Sequence, residues 1–155
     1  MALIARVRGL ALIGGMLAAA ACRIPGPRSF VFGTDQCTHC HMTLADPRFA
    51  AQLVMTTGKV LPFDDVGCLA TFVSTGGIEP RAVHSLWVSD FLRPDSLIPV
   101  ADAVFLRSDS LRTPMDYRIV ALRPGAAAER LRAQLRGTLL RWDEVLRIPG
   151  SPSRQ

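Results

Sequence analysis

The chain has 155 residues, 49% of them hydrophobic and 20% charged, with a formal net charge of +5. This composition excludes a disordered chain and fits one compact domain, or two small lobes sharing a core. Arg6 and Arg8 fall in an apparent leader, so the rest carries about +3, which is too mild and too scattered for nucleic-acid binding.

Residues 1–21 read as a secretory signal: Arg6 and Arg8 form a basic start, and Gly9 to Ala21 is an apolar run too short to span a bilayer comfortably. Ala19, Ala20 and Ala21 lead into Cys22, as at a bacterial lipoprotein processing site, although Leu17 lies five residues before the cysteine instead of three. The expectation is lipid on Cys22 and a cell-membrane anchor facing the periplasm or another extracytoplasmic space. Ordinary cleavage after Ala-x-Ala is the alternative. Residues 22–34, with Pro25, Gly26 and Pro27, read as a tether.

Phe49 to Met55 alternates loosely as a strand, Thr56-Thr57-Gly58-Lys59 is a hairpin turn, and Val60 to Phe63 returns with Pro62 marking an edge. Asp64 or Asp65 caps a helix with Val66, Leu69, Ala70 and Val73 on one face, ended by Gly76-Gly77. Val83 to Val88 is a strand, and Asp90 to Ala103, containing Pro94 and Pro99, reads as a connector. Val104 to Leu106 and Tyr117 to Leu122 are strands. Ala126 to Arg136 is an amphipathic helix with Leu131 and Leu135 inward, and Leu139 to Leu146 holds a strand or short helix. The order strand-strand-helix-strand thus occurs twice, which predicts an α+β fold of two related lobes, about 35–90 and 100–148, within one domain at 35–148. Residues 149–155 read as a disordered tail.

The chemistry concentrates in Cys37-Thr38-His39-Cys40-His41-Met42. Cysteines three apart can aim both thiols at one ion, and the thioether two residues on is a poor zinc ligand and a good Cu(I) ligand. Cys37, Cys40 and Met42 are therefore the candidate Cu(I) ligands. Met115, in Thr113-Pro114-Met115, is a second thioether candidate, and His39 and His41 are possible nitrogen ligands. Asp64, Asp65 and Cys68 form a third cluster, read either as a helix cap with a buried cysteine or, through Cys68 and Asp65, as a source of further ligands. Three cysteines remain after Cys22, so no closed disulfide framework is possible. Two rival readings stand beside copper. Cys37-x-x-Cys40-His41 is also the c-type haem attachment pattern, with His41 proximal and Met115 distal. A zinc or a Cys37–Cys40 disulfide could instead hold a purely structural module. No serine–histidine–acid order, phosphate loop or carboxylate pair points to an enzyme.

These residues resemble the NosL family of copper-binding lipoproteins: a lipidated leader, Cys37-x-x-Cys40-x-Met42, an apolar hairpin, Phe63-Asp64-Asp65 leading to Cys68, and Thr113-Pro114-Met115. The resemblance implies a copper chaperone of two similar lobes that serves assembly of nitrous oxide reductase, the implied acceptor. The chain departs from the family pattern where glycine is usual, at His41 and at Asp116.

Overall fold

The computed structural model describes residues 24–148; the leader, Cys22 and the tail from 149 lie outside the described residues. No helix among the described residues is long and apolar enough to cross a membrane.

The first half builds β1 (Ala51–Met55), β2 (Val60–Phe63), α1 (Val66–Ser74), β3 (Val83–Asp90) and β4 (Arg93–Pro99), paired as one antiparallel sheet in the order β2-β1-β3-β4. The second builds β5 (Val104–Arg107), β6 (Ile119–Leu122), α2 (Ala126–Gln134), β7 (Thr138–Leu140) and the short α3 (Trp142–Val145), with sheet order β6-β5-β7. In each half the first strand lies centrally, its hairpin partner on one side and the strand after the helix on the other. The fold is therefore α+β, and the repeat extends from element order to strand pairing.

The first turn forms as its composition demands: Gly58 takes φ +84°, which L residues resist, and the amide of Met55 closes on the carbonyl of Lys59. Pro62 costs nothing on β2 because that strand is the sheet edge. Asp65 caps α1, accepting from the amide of Gly67 at 2.7 Å, while Val66, Leu69 and Ala70 turn inward. Residues 90–103 correct the expected connector, since β4 occupies half of them. Its prolines fit there because β4 is the other edge and Pro99 is its last residue. The end of the chain corrects an either-or reading, because β7 and α3 both form.

The two halves share a core. One buried cluster joins Cys37, Leu53, Phe63, Cys68 and Leu69 of the first half to Phe105, Tyr117, Ile119 and Val145 of the second. Leu106, Val120, Leu122 and Ala128 form a second cluster under α2, with Leu131 and Leu135 half-buried against it. Tyr117 locks the halves together. Its ring lies over Gly67 on α1 and its hydroxyl meets Thr71 Oγ1 at 2.8 Å. A Cβ on Gly67 would stand 1.9 Å from the ring, so Gly67→Ala is expected to lower stability by about 3 kcal/mol through forced repacking. Thermal unfolding checks this, and an unchanged midpoint would refute the role given to that contact.

The segment read as a tether is held from Arg28 onward. The buried Gln52 side chain clamps Arg28, its Oε1 accepting from the Arg28 amide and its Nε2 donating to the Arg28 carbonyl. Arg28 also pairs with Asp35 at 2.7 Å.

Candidate metal centre

Residues 35–44 form a small antiparallel loop bridged at Gln36 and Thr43. The amide of Cys37 donates to the carbonyl of Met42, that of His41 to the carbonyl of Cys37, and that of Thr38 to Pro62 on the free edge of β2. A tight turn thus carries Cys37 and Cys40, and the edge strand holds it over the start of α1. To close this turn His41 takes φ +63°, the left-handed region that glycine enters freely. Asp116, after Met115, does the same at +57°. The two departures from the family pattern therefore fall on backbone that favours glycine. Histidine and aspartate are among the residues that tolerate it better than most.

Helix α1 brings the third thiol. The sulfurs of Cys37, Cys40 and Cys68 and a carboxylate oxygen of Asp64 all lie within 4.8 Å of one another. Cys37 and Cys68 are buried, Cys40 is half-buried, and all three are free thiols. Cys40 Sγ donates to Asp64 Oδ1 at 3.4 Å.

The hydrogen bonds spread the thiol acidities apart. Cys37 falls to about 7, chiefly because the Cys68 thiol donates to it, with the amides of Cys40 and Asp64 adding to that against the cost of burial. Cys40 is pushed up to about 12, first by burial and then by the neighbouring Cys37 and Asp64 charges. Cys68 is driven up further, by its bond to Cys37 and then by burial. At pH 7 the cluster is thus about half ionised at Cys37 and protonated at Cys40 and Cys68.

The expected site residues divide as follows. Cys37, Cys40 and Cys68 come together, so the spacing argument for the pair holds and Cys68 is not isolated from it. Asp65 is a correction. It is fully buried and spent on structure, with Oδ1 on the Gly67 amide and Oδ2 accepting from the Met115 amide at 3.2 Å. Its neighbour Asp64, expected only as a possible cap, faces the thiols instead. Met115, like Cys40, packs half-buried against the core cluster that contains Cys37 and Cys68. Met42 stands at the surface, 59% exposed, on the turn that carries the cysteines. Half-buried His39 and exposed His41 are not among the grouped ligands.

Three thiols beside one carboxylate make a predominantly soft donor set. The geometry speaks against covalent haem. Both attachment sulfurs would have to open onto a crevice wide enough for a porphyrin, whereas Cys37 is 1% exposed and its sulfur faces Cys68. His41, the would-be axial ligand, lies exposed in the turn.

A family model described as NosL matches residues 31–147. A crystal structure of the copper chaperone NosL from Shewanella denitrificans matches with a TM-score of 0.66 and 23% identity, over 77% of this chain and 96% of that one. At this identity the likeness speaks for the fold alone. No curated protein matches the chain.

Proposed function

The chain belongs to the NosL family, and on that premise we propose that it is a non-enzymatic Cu(I) carrier, anchored outside the cytoplasm through lipid on Cys22. Its cargo would pass to a copper enzyme under assembly, with nitrous oxide reductase the acceptor the family points to. The observation that carries the reading is the meeting of Cys37, Cys40 and Cys68 with Asp64 beneath a turn that ends in exposed Met42. Thiolate and thioether select Cu(I), and Cu(I) is satisfied by two or three ligands, so not every donor is needed at once.

That surplus suits transfer. Buried Cys37 and Cys68 form the floor of the site, while half-buried Cys40 and exposed Met42 form its rim. An acceptor thiolate or imidazole can enter at the rim and take one coordination position before the floor sulfurs release the ion. Met115 supplies a thioether from the second lobe, held near by the bond from its amide to Asp65. The Shewanella denitrificans relative that shares the fold is a copper chaperone.

Titration of the reduced protein with Cu(I) under anaerobic conditions tests this, with about one ion bound tightly per chain expected. Because Cys40 and Cys68 are protonated at neutral pH, loading is expected to release about two to three protons per ion at pH 7, and apparent affinity should climb as pH rises. Calorimetry in buffers of differing ionisation enthalpy reads that number. Release of less than one proton would show that the buried thiols do not bind the metal.

A further inference from the structure

A partly apolar face lies where the described chain begins. A groove of about 470 Å³ lies between the incoming chain and β4, its wall apolar at Phe30, Phe32, Pro94 and Leu97 and polar at Arg28 and Asp95. Of the five large apolar side chains exposed among the described residues, four adjoin it in the chain: Ile24 (83%), Val31 (53%), Phe32 (36%) and Leu92 (48%). Phe30 and Phe32 pack along its wall with ring centres 5.5 Å apart and planes tilted by 45°. Soluble surfaces rarely gather such residues without a partner.

We propose that this groove and its rim form a bilayer-contacting face, which seats the domain on phospholipid in one orientation; the proposal rests on the anchor at Cys22. Two observations favour lipid as the occupant. The first is reach. Pro27 is five residues from Cys22, so the groove lies within about 18 Å of the anchoring sulfur even with the chain fully extended. The Gln52 clamp on Arg28 prevents this end of the chain from swinging elsewhere. The second is charge. Arg28 pairs with Asp35 and Arg48 with Asp46, Arg93 and Arg123 share Asp90, and with Asp95 on the wall the four arginines around the groove are matched by four aspartates. Exposed Asp95 on the groove wall stays at headgroup level while the apolar rim enters. A rim that is apolar and ion-paired fits the interface of a bilayer and asks for no anionic lipid.

The orientation serves the proposed carrier. Val31 and Phe32 begin the segment that turns back at Cys37–Met42, and the Gln36–Thr43 bridge lies between the two ends. With the groove on lipid, exposed Met42 at the far end remains open to an acceptor.

The test uses the full acylated chain in phosphatidylcholine vesicles carrying dibrominated phosphatidylcholine, with a tryptophan added by Phe32→Trp, Leu92→Trp or Lys59→Trp. Lys59 sits in the turn at the opposite end of β1. Emission above that of the parent, which holds Trp87 and Trp142, is compared with unbrominated vesicles. Side chains seated about 5–10 Å into the interface should lose roughly half or more of their emission at 32 and 92 and little at 59, and adding phosphatidylglycerol should not change this. Equal quenching at all three sites, or none in protein that co-floats with vesicles, overturns the bilayer face and leaves the anchor standing. Protein that fails to co-float overturns both.

Discussion

Replacing Cys68 with alanine is expected to lower Cu(I) affinity by more than about a hundredfold, because even outer-shell partners of a metal cost 10–100-fold when removed. Cys68 lies 28 residues beyond Cys40, yet its sulfur is among the four donors gathered within 4.8 Å, and it is fully buried. It also donates the hydrogen bond that lowers Cys37 to about 7. The variant therefore loses a donor and weakens another at the same time. Competition with a Cu(I) chelator of known affinity measures the loss, and thermal unfolding of the apo protein shows whether the fold survives. Met42→Ala, at an exposed rim position, should cost about tenfold or less and should alter the transfer rate more than the affinity. If Cys68→Ala folds normally and binds Cu(I) as tightly as the parent, α1 does not contribute to the site.

The second large effect concerns Asp65 in the apo protein. Burial raises this carboxyl from its ordinary value near 3.8 to about 6, against the hydrogen bonds from Thr113, Gly67 and Met115 that favour its ionised form. A carboxyl raised on folding contributes stability that is complete below its unfolded value and is lost as pH climbs through the folded one. Relative to Asp65→Asn, which does not titrate, the parent should thus lose about 3 kcal/mol of stability between pH 3.5 and 7.5. Denaturant unfolding of both proteins across that range measures the difference, and a constant gap would mean that Asp65 does not carry a buried charge. Asparagine can still cap Gly67 through its oxygen, but its amide nitrogen cannot accept from the Met115 amide. Asp65→Asn should therefore also free the Met115 loop and weaken Cu(I) binding if that thioether is a ligand.

Much of this protein was legible in local order. The Cys37-x-x-Cys40 spacing predicted two thiols on one turn, and the first hairpin, the acidic cap of α1 and the strand-strand-helix-strand repeat followed from alternation, turn residues and helical spacing. Each of these depends on neighbours a few residues apart, and such interactions are written in the chain itself. The haem-like run at His41 was equally visible and equally local, but its rejection needed the burial of Cys37, which no short window contains.

What tertiary structure alone decided is which distant groups meet. Asp64 and Asp65 are adjacent, and either can cap a helix; the phase at which α1 starts turned one to the Gly67 and Met115 amides and the other to the thiols. Cys68 joined the site because α1 packs beneath the edge strand that holds the cysteine turn, and Met115 came near because Tyr117 lies across Gly67 and draws the second lobe against the first. Pro94 and Pro99 hid β4 because a proline forbids a strand only where its missing amide is needed, and an edge is known only once the sheet is assembled. The donor types are a property of the sequence; their gathering into one site is a property of packing, since contacts between residues far apart in the chain exist only after the core between them has formed.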